Sequence, residues 1–266
     1  MRAGRRVGAA LLAALALSTG GAAGQSLAAR VQQVRDGTVR FHFDTRPGVE
    51  ICDQGIRMGP HNRLQWSSRS WDDDEGTNCR SGFAEVELAI RGGRVHDVSV
   101  VKRLVDRTAS ARDLGAVGAE EAAHYLLGVA RAAGERTTAE HAMLPAVLAA
   151  APDAWRDLLD MARDRGVDEG VRKSALFWVS QEAGEVITRG LEDVAGDGDE
   201  SQGIRDAAVF ALSQRPAAES VPALMEVART APQVKTRKAA LFWLAQSDDP
   251  RVPSFFEKIL LGGQGG

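Results

Sequence analysis

The chain is short of cysteine, aromatic residues, clustered positive charge and long apolar runs. It has 2 cysteines and 1 tyrosine in 266 residues, with aromatics at 5%. Neither Cys52 nor Cys79 stands in a C-x-x-C pair or beside a histidine cluster, so redox catalysis and structural zinc both lack their motif. His42, His61, His96, His124 and His141 are scattered without H-x-x-x-H spacing, and no metal site is expected from them. No G-x-S-x-G elbow and no G-x-x-x-x-G-K-[ST] loop is present, which removes an elbow serine nucleophile and a phosphate cradle. No cofactor and no catalytic residue is expected. The formal charge of −3 excludes a sequence-independent grip on a polyanion, which needs clustered Lys and Arg, so nucleic acid is not an expected partner. Beyond the N-terminus no stretch of about 20 apolar residues could span a membrane.

The N-terminus itself reads as a leader. MRAGRR is a basic n-region, VGAALLAALAL a short apolar h-region and STGGAAGQS a small-residue cleavage region, which predicts a Sec-type signal peptide over residues 1–24. Its removal near Gly24 takes Arg2, Arg5 and Arg6 but no acid, leaving a mature chain of about −6. A periplasmic or secreted protein, with no membrane insertion after cleavage, is the expectation. In an oxidising compartment Cys52 and Cys79 are expected to form a disulfide, closing a loop of about 28 residues and contributing on the order of 3 kcal/mol.

At 266 residues, two modules or one elongated array are expected. Residues 31–105 read as a small β module. TVRFHFD alternates, with Val39, Phe41 and Phe43 on one face and Thr38, Arg40 and His42 on the other. FAEVELAI and RVHDVSVVK flank Arg91-Gly92-Gly93-Arg94, whose paired glycines suit a two-residue hairpin. A long loop carries Trp66, Trp71 and the acidic run Asp72, Asp73, Asp74 and Glu75 before Gly76. That glycine comes one position too early for an EF-hand and no closing Glu follows, so a solvated turn is expected. Residues 106–134 read as a connector and a leading helix.

From there the period is helical, and one phrase recurs. VRKSALFWVSQ begins at Val171, IRDAAVFALSQ at Ile204 and TRKAALFWLAQ at Thr236, and TAEHAMLPAVL at Thr138 is a worn copy in the same phase. Each is followed by a second helix, DAWRDLLDMARDRG, EVITRGLEDVAG, SVPALMEVARTA or RVPSFFEKILLG, with Pro222 and Pro253 expected at first helical positions. Helix pairs repeating every 32 to 33 residues must stack to bury their apolar faces. The expected class is therefore α+β: the β module followed by an α-solenoid of about four helix pairs over 135–261, with a flexible tail at 262–266. Asp197, Asp199 and Glu200 read as a solvated linker.

The V/I-R-x-x-A-A/L-x-x-L/V pattern of VRKSALFWV and IRDAAVFAL, followed by a Pro-started helix, resembles short bacterial HEAT repeats of the phycobilisome-lyase-like kind. The resemblance covers Thr137 to Leu261 and implies protein binding along an extended surface. Thr236 departs from the pattern's V/I, and Pro145 interrupts the first copy, where a bend is expected. Deoxyhypusine hydroxylases are HEAT proteins that hold iron through His-Glu pairs, and this chain has no His-Glu dipeptide. In such repeats the recurring Arg172, Arg205 and Arg237 bond to carbonyls or acids of a neighbouring repeat, so they are not nominated as a binding ladder.

At about 100° per residue Val171, Ala175 and Val179 share the stacking face, while Phe177 falls nearly opposite among Lys173, Ser174, Ser180 and Gln181. Phe210 and Phe242 repeat that placement, Leu144 is its aliphatic form, and Gln181, Gln214 and Gln246 follow. The stripe is either buried against adjacent first helices, with Gln capping turns, or an exposed partner-binding ridge on which the β module could itself fold back. The function expected is a non-catalytic protein-protein interaction scaffold of the cell envelope or secreted fraction. The rival is a ligand-binding or enzymatic role for the β-module loop from Trp66 to Cys79.

Overall fold

The structure is a computed structural model that describes residues 25–58, 78–182 and 184–262. The expected leader, the loop with Trp66, Trp71 and the acidic run, and the tail beyond Gly262 lie outside the described residues.

A short helix, α1 (Leu27–Gln32), capped by Ser26, precedes β1 (Gly37–Asp44). Alternation in β1 sends Val39, Phe41 and Phe43 into the core, all at 1% exposure or less. β1 lies between β5 (Phe83–Arg91), antiparallel to it, and β7 (Arg112–Ala116), parallel to it; β6 (Arg94–Val100) pairs with β5 at the other side. The hairpin turns at Gly92 and Gly93, both at positive φ, 56° and 75°. β7 was not expected. It falls in the stretch read as a connector, and its pairing with β1 breaks register between Arg40 and His42.

Ion pairs and hydrogen bonds fasten that connector to the sheet. Glu85 and Glu87 of β5 are buried, and the connector covers them. Arg107 pairs with Glu85, and Thr108 donates its backbone N–H (3.0 Å) and its hydroxyl (2.6 Å) to Glu87. Arg40 lies within 3.3 Å of Glu87 and 3.4 Å of Asp113. Both buried carboxylates thus find cations and donors, as burial of charge requires.

A second sheet joins β3 (Gly55–Met58), β2 (Val49–Cys52) and β4 (Cys79–Ser81) in that order, all antiparallel. Cys52 stands opposite Cys79 and the two form a disulfide. Arg80 of β4 donates to the carbonyls of Val101 and Lys102 just past β6, which ties this sheet to the first.

The helices form two rows. α3 (Arg136–Leu148), α5 (Glu169–Ser180), α7 (Gln202–Ser213) and α9 (Val234–Ala245) stack in one; α2 (Ala119–Ala132), α4 (Ala154–Arg163), α6 (Glu185–Gly196), α8 (Ala217–Thr230) and α10 (Arg251–Gly262) stack in the other. Val171, Ala175, Val179, Ile204, Ala208, Leu212, Ala240 and Leu244 are all buried at the junctions. Thr236, in a V/I position, is fully buried and accepts from Gln202 at 3.4 Å.

Five expectations are corrected here. α2 is not outside the array: it packs on α3 and α4 and begins the second row, so the stack starts at Ala119 rather than 135. Pro222 is not at a helix start, because α8 opens at Ala217, where the carbonyl of Pro216 accepts from Glu219 and Ser220. Pro253 is not the first helical residue either, because α10 opens at Arg251, but it still lies in the first turn, where no intrahelical donor is needed. Glu200 is no solvated linker residue; it is buried against Arg172. Finally, Gly262 closes α10 instead of opening a tail. Pro145 is tolerated: α3 continues one turn past it to Leu148.

The repeated arginines end the neighbouring helices. Arg172 donates to the carbonyl of Ala162 at 2.8 Å, Arg205 to that of Asp197 at 3.2 Å, and Arg237 to those of Ala231 and Pro232 at 2.7 and 3.0 Å. These are carbonyls at the ends of α4, α6 and α8, which have no partner within their own helix. Arg215, just past α7, does the same at a turn. Its side chain, 1% exposed, donates to the carbonyls of Ser180 (3.1 Å), Gly184 (3.0 Å) and Glu182, to Thr188 (3.2 Å) and to Glu219 (2.6 Å).

The two modules share one core. Buried residues run without a break from Leu27 to Phe255. β6 packs on α3, the Thr138 hydroxyl donates to the carbonyl of His96 at 2.6 Å, and the chain after α3 is zipped to the end of β1 by Arg46 N–H to Leu148 (3.0 Å) and Ala150 N–H to Asp44 (2.9 Å).

Replacing Arg215 with Met leaves three carbonyls without their guanidinium donor and Glu219 with Thr188 as its remaining donor, and is expected to remove about 3 kcal/mol from urea unfolding. Hydrogen bonds from Thr188 and then Arg215 hold the Glu219 carboxyl below its usual range. The stability this supplies is present above the unfolded-state pKa and lost as pH falls through the folded one, so the acid-side loss of stability is expected to be smaller in the variant. Tyr125 of α2, the single tyrosine, gives a second check. Burial pushes its phenol up to about 12. An absorbance titration is expected to show ionisation near that value in the folded chain and near 10 in urea. The associated stability is full below the unfolded pKa and disappears as pH rises through the folded one.

Candidate partner-binding cleft

On the side of α3 where a stack would continue with another helix, this chain places the edge of a sheet. The two do not fill the space between them. A cleft of about 580 Å³ lies between β6, β3 and the first-row helices. Ile56 of β3, Leu144 of α3, Phe177 and Trp178 of α5 and Phe210 of α7 give it an apolar floor. Asp97 to Val100 of β6 and Lys102 form the facing wall.

The stripe read in the sequence divides at this cleft. Leu144, Phe177 and Phe210 come together in it. Phe177 is half-buried, its ring edge-on to Trp178 at 5.3 Å; Phe210, 36% exposed, lies 5.4 Å from the Trp243 ring. Phe242 is 57% exposed, sits one repeat further along, and does not line the cleft. The glutamines do not line it either. Gln181, Gln214 and Gln246 are the C-cap residues of α5, α7 and α9. The amides of Gln181 and Gln214 reach only the adjacent Ser180 and Ser213, at 3.0 and 3.1 Å. Their recurrence marks the helix end, which falls four residues after Phe in each copy. Trp178 escaped the sequence reading although LFW occurs twice in the repeated phrase; β6 was legible as a hairpin strand, but its place at the cleft, like that of β3, depends on how the sheet docks and has no local signal.

The rim is charged, and most of its charges are matched. Arg136 donates to Glu140 at 2.7 Å, His141 meets Asp97 at 2.8 Å and Lys173 pairs with Glu169 at 2.6 Å. Burial, the largest influence on Glu140, works to raise its pKa, but hydrogen bonds from Arg136 and Ser174 together hold the carboxyl below its usual range. Lys102 differs. No salt bridge or side-chain hydrogen bond holds its ammonium among the described residues, although, after the hydrogen bonds from Arg103, its charge helps to keep the Asp106 carboxyl below its usual range. Away from the cleft, Glu50, Cys52 and Cys79 place donor atoms within 4.8 Å of one another, but the two sulfurs are bonded together and so supply no thiolate for a metal.

Residues 204–230, the span of α7 and α8, match the family model described as PBS lyase HEAT-like repeat. The match covers one helix pair and is consistent with a HEAT-like repeat protein, and the two rows of helices extend that build to the neighbouring units. No curated protein matches the chain.

Serine at Phe177 is expected to cost about 2 kcal/mol of unfolding free energy, while serine at the more exposed Phe242 costs less than about 1 kcal/mol. Urea unfolding of the two variants checks this order.

Proposed function

We propose that this chain is a non-catalytic protein-interaction scaffold that receives its partner in the cleft between β6 and the first-row helices. The observation that carries this reading is the meeting of Leu144, Phe177 and Phe210, from three successive repeats, in one concave and partly exposed surface. Contiguous apolar surface of this kind on a folded chain favours a partner, and aromatic residues in a walled pocket are the usual anchors of one. Ion pairs among the rim side chains support binding over chemistry, because Arg136 is held by Glu140, His141 by Asp97 and Lys173 by Glu169.

The place of action is the cell envelope or the secreted fraction. The leader motif at 1–24 and the disulfide between Cys52 and Cys79 support this. Among the described residues no helix is long and apolar enough to cross a membrane.

The test uses the mature chain as bait for the periplasmic and secreted proteins of its source cells, alongside Leu144→Asp and a distant control, Glu226→Gln. A protein held by the wild type and the control but reduced at least about tenfold by Leu144→Asp supports the cleft. Retention that ignores Leu144→Asp overturns it.

A further inference from the structure

Four consecutive residues of β6, Asp97, Val98, Ser99 and Val100, line the cleft. Side chains along a strand point alternately to opposite faces, so a wall made of four in a row is made by the strand's edge. Among the described residues β6 is an outer strand, paired with β5 alone. The Val101 N–H donates to Glu85 of β5 at 2.9 Å, so the alternating main-chain groups of Val100 and Val98 face away from β5. The carbonyl of His96, where the pairing with β5 shifts register, is taken by Thr138 of α3. Val98 and Val100 have no such partner among the described residues, although Val98 is only 2% exposed. Among the described residues this strand edge has no neighbour strand on its outer side, and it walls an apolar floor with the Lys102 ammonium at its end.

Resting on the cleft reading above, we infer that the occupant is an extended peptide segment of the partner that adds as a strand to the β6 edge. Its main chain pairs with Val98 and Val100, alternate apolar side chains lie on Leu144, Phe177 and Phe210, and an acidic side chain or terminal carboxylate meets Lys102. Charge complementarity selects the acid, because the other rim cations named above already have carboxylate partners.

The probe is a peptide selected from a random ten-residue display library on the full chain, then synthesised and measured by fluorescence anisotropy. Alternating apolar residues and a terminal acid are expected in the selected sequences. N-methylation at alternate residues in one phase removes the peptide's main-chain donors without touching the protein, and is expected to weaken binding at least about tenfold, with little effect in the other phase. Lys102→Glu is expected to weaken the acidic peptide by about tenfold and to favour the peptide with Lys in place of its acid. In hydrogen exchange the Val98 and Val100 amides are expected to be open in the free chain and protected in the complex.

If Leu144→Asp abolishes binding but neither phase of N-methylation matters, the strand inference fails and the cleft reading stands. If the peptides ignore Leu144→Asp, or if no peptide is enriched, the cleft reading fails with it. Protection of Val98 and Val100 in the free chain overturns the inference, because the edge is then already paired.

Discussion

A stack of helix pairs leaves an apolar face at each end, and the first end has to be covered before the rest can be stable. Here the cover is the contact between β6 and α3. Thr138 hydrogen-bonds the strand, and the chain leaving α3 is stitched to the end of β1, so the sheet is the terminal layer of the stack and not an appended domain. A strand is a poorer match than a helix for a surface shaped to receive a helix. The mismatch shows as the space above Leu144 and Phe177, so the feature that closes the core also opens the cleft.

Arginine solves a second problem of the stack. Every helix end leaves carbonyls without partners, and in tightly spaced repeats water has little room to reach them. Arg172, Arg205, Arg237 and Arg215 reach across to those carbonyls, and Glu200 and Glu219 balance two of the buried guanidinium groups. An invariant-looking basic residue in a repeat is thus a terminator for its neighbour's helix, which explains why a row of positive charge along the sequence creates no positive surface.

Much of the architecture was legible because it rests on periodicity. The alternation around Phe41, the Gly92-Gly93 turn and the 32 to 33 residue spacing each express a local rule, and each element formed where that rule put it. What could not be read depended on charges buried by distant partners. RDLGA has no strand pattern, and it becomes β7 because Arg107, Thr108 and Arg40 satisfy Glu85 and Glu87. The cleft was half legible. Helical phase picked out Leu144, Phe177 and Phe210, whereas the glutamines in the same register belong to helix ends, and the wall built by β6 follows from sheet docking that no local pattern encodes.

The position of β1 inside its sheet bears on how the chain folds. β1 ends at Asp44, yet one of its two neighbours, β7, ends at Ala116. Contacts within the helical array join near neighbours in sequence and form quickly, whereas this sheet must close a loop spanning the whole β region first. A chain emerging from its N-terminus therefore cannot finish the sheet until the connector is out, and α3 has no finished surface to settle on before then. The stitches from Asp44 and Arg46 to Ala150 and Leu148 reach further still along the sequence, so the end of the array that the sheet closes rests on contacts of far longer range than those within the helix pairs.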